Sequence, residues 1–379
     1  MLKKTLIFLT MLVIAMLFSA CQSPSSALEA TSTVQEIATI TQTPTIAPAT
    51  PTFTIIPSPE IFSGEATGNL YETVLSIPAG KTGLPYRGVG IPGMEITGPN
   101  AFAILTDERY VIADLIDNRL WIFSPAGEQL KTIDLYKLGI MNVSDMQVYK
   151  DELYVLEIYL NPPLHYRINR LSLEGDLIGY YDIPEGYHQE NGLMGFMIDC
   201  SGKIFLDLEG RLHPLPITDV VLTSSSSEDN YECNGKTYYV HDTKRGEKPK
   251  LTAGSYTLET SLTFGFGSLS LLKALPDGSF FVVRSDVVND QVIQVDDTVH
   301  YFSVGGVQLG IARVPVDERY YYVMRNLTVG PDGNVYCLLP KPDSLKILRL
   351  KFYPSLEPLL PGVEPPMIAS DAPLTNPGY

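Results

Sequence analysis

Six residues head those whose types could do chemistry. Asp114, Asp117, Glu157, Asp286 and Asp343 stand at the ends of short apolar runs, and His165 follows Glu157 closely. Carboxylates drawn from separate loops make the donor set of a hard cation, since Ca²⁺ takes about six to eight oxygen ligands. If the loops share one rim and several of the acids point inward, they would hold Ca²⁺ or contact a ligand there. Glu157 to Arg167 (EIYLNPPLHYR) is the richest of these loops, with a carboxylate, an imidazole, two Tyr and two Pro. A long loop on a rigid scaffold often carries function. Asp114 to Arg119 also fits a plain turn, because Asp and Asn side chains accept backbone N–H groups there.

Other catalytic patterns fail on their context. Gly88-Val-Gly90-Ile-Pro-Gly93 has the spacing of a dinucleotide fingerprint, but Pro92 and Pro99 leave no room for the helix it needs. Gly80-Lys81-Thr82 and Gly235-Lys236-Thr237 resemble the end of a phosphate loop, yet positions 75 and 230 are Leu and Asn where its first glycine belongs. No G-x-S-x-G occurs, and none of the histidines at 165, 188, 213, 241 and 300 pairs with another at zinc-ligand spacing. The net charge of −16 opposes a nucleic-acid partner, which would demand a basic face.

The elements that must position these residues are strands. Gly 30 and Pro 29 disfavour helices, and Tyr 22 with Phe 14 favours strands. Strand-and-turn units recur at 101–135, 146–183, 196–215, 236–262, 271–302 and 327–353. Their first turn falls at Asp107, Asp151, Ser201, Asp277 and Asp332, with gaps of 44, 50, 76 and 55 residues. The 76-residue gap fits two short units, so the mean period is about 45 residues, that of a four-stranded propeller blade. The sequence thus predicts an all-β fold, a six-bladed β-propeller over 67–353. The sixth unit lacks a fourth strand, and Glu72 to Pro78 (ETVLSIP) is placed to supply it and close the ring.

The chain ends differ from this body. Lys3 and Lys4 precede an apolar run, Leu6 to Leu17, too short to span a bilayer. Phe18-Ser19-Ala20 then leads into Cys21, which resembles a bacterial lipobox, with Phe18 where Leu is usual and Leu17 one position earlier. The resemblance implies a signal peptide over 1–20 and lipidation of Cys21, hence a cell-envelope protein held to a membrane on its extracytoplasmic side. Loss of Lys3 and Lys4 would make the chain still more acidic, so attachment would rest on acyl chains rather than a basic patch. Residues 21–66 read as a Thr/Pro-rich disordered tether and 354–379 as a Pro-rich tail. In an oxidising compartment Cys200 and Cys233 are expected to bridge, while Cys337, within VYCLLP, packs as an apolar residue.

Tyr110 to Leu130 (YVIADLIDNRLWIFSPAGEQL) and LTVGPDGNVYCL from Leu327 resemble the NHL repeat. The resemblance implies a fold whose members include protein-binding scaffolds, lyases and, among relatives, metal-dependent lactonases. The expected function is a non-catalytic binding or scaffold module for a protein or glycan, as a monomer. Tyr320-Tyr321-Tyr322 could stack on sugars, although alternation makes at least one of them core. The alternative is a metal-dependent lactonase or hydrolase, or a polysaccharide lyase, with a cation and a His or Tyr base in the channel.

Overall fold

The computed structural model describes residues 56–357, apart from 64–65, 67–68, 81–82, 160–164, 188–191, 209–210, 216–229, 242–247, 249, 260–267 and 290–293. The expected leader, Cys21, most of the expected tether and the tail from 358 onward lie outside the described residues.

Six antiparallel sheets make up the propeller. Blade 1 runs from its inner to its outer strand as Ala101–Ile104, Tyr110–Asp114, Arg119–Phe123 and Gln129–Asp134. Blade 2 is Val143–Tyr149, Glu152–Tyr159, His165–Ser172 and Leu177–Asp182. Blade 3 has three strands among the described residues, Leu193–Ile198, Ile204–Leu208 and Arg211–Pro214. Blade 4 is Tyr231–Cys233, Lys236–Val240, Lys250–Ala253 and Tyr256–Glu259, and blade 5 is Ser268–Ala274, Phe280–Asn289, Gln294–Phe302 and Gln308–Arg313. Blade 6 takes Leu327–Val329, Val335–Pro340 and Ser344–Leu350, and its outer strand is Tyr71–Pro78 from the start of the body.

That last strand closes the ring as the sequence predicts. It lies antiparallel to Ser344–Leu350, with Tyr71 opposite Leu350 and Pro78 opposite Ser344. Two strands exceed the predicted units. Blade 4 opens at Tyr231 rather than Lys236, on a strand too short to show alternation, and blade 5 gains Gln308–Arg313 beyond Phe302. This outer strand begins with two exposed residues, so its apolar pattern is weak.

The recurring turn has a chemical cause. Asp107, Asp277 and Asp332 each accept the backbone N–H two residues on, from Arg109 at 3.3 Å, Ser279 at 2.9 Å and Asn334 at 3.1 Å. In blade 3 the same role falls to Asp199, which takes Ser201 N at 2.8 Å. Blade 2 instead turns through Lys150 and Asp151, both at positive φ (49° and 60°), the twist that tight hairpins require.

The core fills the wedges between blades. Leu105, Leu120 and Ile122 of blade 1 pack with Met146, Leu153 and Val155 of blade 2. Phe281 and Tyr301 of blade 5 pack with Leu339, Leu348 and Phe352 around blade 6. Each sheet presents its unpaired inner edge to the axis. Along that edge the register slips in three blades, between Val143 and Asp145, Leu193 and Gly195, and Leu271 and Lys273. Such a bulge adds one residue and re-aims the side chains beside it.

Candidate functional site

Asp114, Asp117 and Asp343 sit at the turns between the second and third strands of their blades, whereas Glu157, His165 and Asp286 lie within those strands; the carboxylates have local work. Asp114, 2% exposed, accepts Ile116 N at 2.9 Å, Asp117 N at 3.3 Å and the Trp121 indole N–H at 3.1 Å. Burial raises its pKa, and those three bonds offset only part of that rise. Asp117 is exposed in the same turn. Asp286 pairs with Arg284 at 2.5 Å. Asp343 accepts Ser344 Oγ at 2.9 Å, while its carbonyl takes Ala79 N at 2.8 Å. Among the described residues, no three of His, Cys, Asp and Glu gather where they could hold a metal ion.

Blade 2 does bring two of the predicted residues together. Glu157, 1% exposed, accepts Met141 N at 2.9 Å and Asn169 Nδ2 at 3.0 Å. His165 Nε2 lies 3.6 Å from Glu157 Oε1. On the next strands outward, Arg167 donates to Asp182 at 2.6 Å and its guanidinium lies 4.5 Å from the Tyr180 ring centroid. The hydrogen bond to Asp182 is the main cause that raises the Arg167 pKa. Tyr180 is 52% exposed, and Asp182 is more exposed than Arg167. The cross-strand register makes this corner: Arg167 faces Asp182, and Asn169 faces Tyr180. An aromatic ring, a fork of N–H donors and an accessible carboxylate therefore stand side by side at the surface.

A second polar cluster lies on the inner edge of the ring. Arg325, just before the inner strand of blade 6, donates to Asp145 of blade 2 through Nε at 2.7 Å and Nη2 at 2.6 Å. Nη2 also donates to the Phe196 carbonyl of blade 3 at 2.8 Å, and Phe196 N donates to Asp145 at 2.9 Å. Arg325 N reaches the Asn100 carbonyl at the start of blade 1, and Asn100 Nδ2 reaches the Val143 carbonyl of blade 2. The guanidinium thus ties blades 2 and 3 to blade 6, and the Arg325 backbone N–H adds blade 1. Gly195 makes room for it, since a Cβ there would sit 2.6 Å from Asp145 Oδ2.

The sequence reading passed over Asp145, Arg325 and Lys273. The available signal was a charge inside an apolar inner strand, as in LLKAL around Lys273. Cys200 and Cys233 are joined as a disulfide between blades 3 and 4, and Cys337 is a buried free thiol. Of the three tyrosines, Tyr321 is core and donates to the Pro99 carbonyl, whereas Tyr322 is 61% exposed.

No protein-family model matches the chain, and no curated protein does. Several solved structures match the chain at low identity. Virginiamycin B lyase from Staphylococcus aureus is 12% identical over 67% of this chain and 95% of its own, with a TM-score of 0.39. The aldose sugar dehydrogenase from Streptomyces coelicolor is 10% identical over 75% and 98%, with a TM-score of 0.41. A member of the DUF4221 family from Bacteroides vulgatus is 12% identical over 75% and 99%, with a TM-score of 0.42. At these identities and scores none of them bears on what this chain does.

Proposed function

We propose that this chain is a non-catalytic binding propeller, anchored to the extracytoplasmic side of a membrane through lipidated Cys21, and that its ligand is a glycan held at the blade 2 corner. The observation that carries the reading is the Tyr180–Arg167–Asp182 arrangement, with Arg167 4.5 Å from the ring centroid and 2.6 Å from the Asp182 carboxylate. Sugar rings offer C–H faces to an aromatic surface and hydroxyls to donors and acceptors, and this corner supplies all three. The Glu157 and Asn169 contacts behind it hold the strands, so the corner is fixed before any ligand arrives.

The test is a saccharide array of bacterial envelope polysaccharide fragments, followed by calorimetric titration of whichever fragment binds. Tyr180→Ala should weaken that binding about ten-fold or more, the equivalent of about 1.4 kcal/mol. Equal affinity in Tyr180→Ala, or an array without a hit, would overturn the glycan reading. Metabolic fatty-acid labelling that persists in Cys21→Ser would overturn the anchor.

A further inference from the structure

Lys273 occupies an unusual place in the ring. Its strand is the unpaired inner strand of blade 5, and the register slips between Leu271 and Lys273. Leu271 and Ala274 pack in the cluster shared with blade 4. Leu272 and Leu275 pack in the cluster shared with blade 6. Both faces of the strand are therefore taken by apolar neighbours on either side of Lys273. The bulge leaves this one side chain to leave by the free edge, into the channel. Lys273 keeps partial solvent access there. Among the described residues its ammonium has neither a hydrogen-bond nor an ion-pair partner.

The neighbouring charge is also positive. Arg325 precedes the inner strand of blade 6, which touches that of blade 5. Burial, and then Arg325, lower the Lys273 pKa. Arg325 itself is satisfied on one side only: Nε and Nη2 bind Asp145 and the Phe196 carbonyl, and none of these bonds uses Nη1. Asp145 pairs directly with Arg325 and the Asp207 carboxylate also acts on that guanidinium, whereas among the described residues the only charge that acts on Lys273 is Arg325. A partly desolvated ammonium beside a guanidinium whose Nη1 makes none of these bonds is an arrangement that an anion relieves.

We propose that Lys273 and Arg325 form a binding site for a small oxyanion, a phosphate, sulfate or carboxylate group, inside the propeller channel. The site does not depend on the glycan reading, because it lies on the inner edge of the ring and uses none of the blade 2 corner residues.

The test titrates the full chain with phosphate, sulfate and acetate in separate arms, at ionic strength matched with chloride. Calorimetry and thermal melting are the readouts. At least one oxyanion should bind and raise the melting temperature beyond the chloride control. Lys273→Met should weaken that anion about ten-fold or more, and Lys273→Arg should retain it. The arm that responds identifies whether the group is tetrahedral or planar. Binding unchanged in Lys273→Met would overturn the site, as would a wild-type response to all three anions equal to that of chloride. Circular dichroism of both variants separates loss of the site from loss of the fold.

Discussion

Removing the Asp145 carboxylate tests how the ring is held. Asp145 is 1% exposed and accepts four N–H groups: Arg325 Nε at 2.7 Å and Nη2 at 2.6 Å, Phe196 N at 2.9 Å and Met146 N at 2.7 Å. In Asp145→Ala the guanidinium keeps the Phe196 carbonyl but loses its hydrogen-bonded counter-charge. Breaking a buried pair by deleting one partner costs about 3–5 kcal/mol. Asp145→Asn keeps the shape but loses the charge that strengthens each bond, and should cost about 1.5–3 kcal/mol. Removing both charges, as Asp145→Ala with Arg325→Met, should leave the protein more stable than Asp145→Ala alone, because no orphaned cation remains. Urea unfolding followed through Trp121, the single tryptophan, reads the wild type, these three variants and Arg325→Met alone. A loss below about 1 kcal/mol in Asp145→Ala would refute the reasoning. So would a double variant as unstable as the two single losses added together.

Three further outcomes follow from the same contacts. Reducing the Cys200–Cys233 bridge, which spans a sequence separation of 33, should lower unfolding free energy by about 3–4 kcal/mol; unreduced, denatured Cys21→Ala protein should show one reactive thiol, Cys337, and three would reject the bridge. Gly195→Ala brings a methyl group to 2.6 Å from Asp145 Oδ2 and 3.3 Å from Arg325 Nη2, so it should cost about 1–3 kcal/mol in urea unfolding, and an unchanged midpoint would count against the channel geometry. Burial chiefly, with the Arg284 charge, holds the His300 pKa below its usual 6.5 against the raising effect of the Gln308 bond; the unfolded chain therefore takes up this proton first, and stability should fall as pH drops below 6.5, a slope that His300→Gln flattens and that an identical slope in the variant would disprove.

The ring was legible because its signals are local. An Asp that accepts the N–H two residues later needs only its own turn, so Asp107, Asp277 and Asp332 mark the period in sequence as they do in space. The closing strand was legible for a different reason: the sixth unit lacked a fourth strand, and Glu72 to Pro78 lies before blade 1, where it can supply one. The rim acids show where such reading stops. Residue type and position made Asp114 and Glu157 plausible ligands, but local N–H donors claim both carboxylates once the turns form. Only Glu157 and His165 meet, because they lie diagonally across one hairpin, Glu157 opposite Arg167 and His165 opposite Tyr159. Asp145 and Arg325 were illegible as a pair, since 180 residues separate them and ring closure alone brings them together.

The bulges explain why charge reaches the axis at all. A regular inner strand between two blades alternates its side chains into two apolar wedges and offers the channel only backbone. A slipped residue breaks that alternation and gives one side chain a third direction. In blade 2 the slip delivers Asp145, in blade 3 it delivers Gly195 with space for Arg325, and in blade 5 it delivers Lys273. The first two combine with Arg325 into a clamp that fixes blades 2, 3 and 6, and the third remains a single positive charge. Stability and channel charge are thus set by the same device but by different residues. Lys273 can therefore be exchanged without touching the clamp, whereas changing Asp145 alters both.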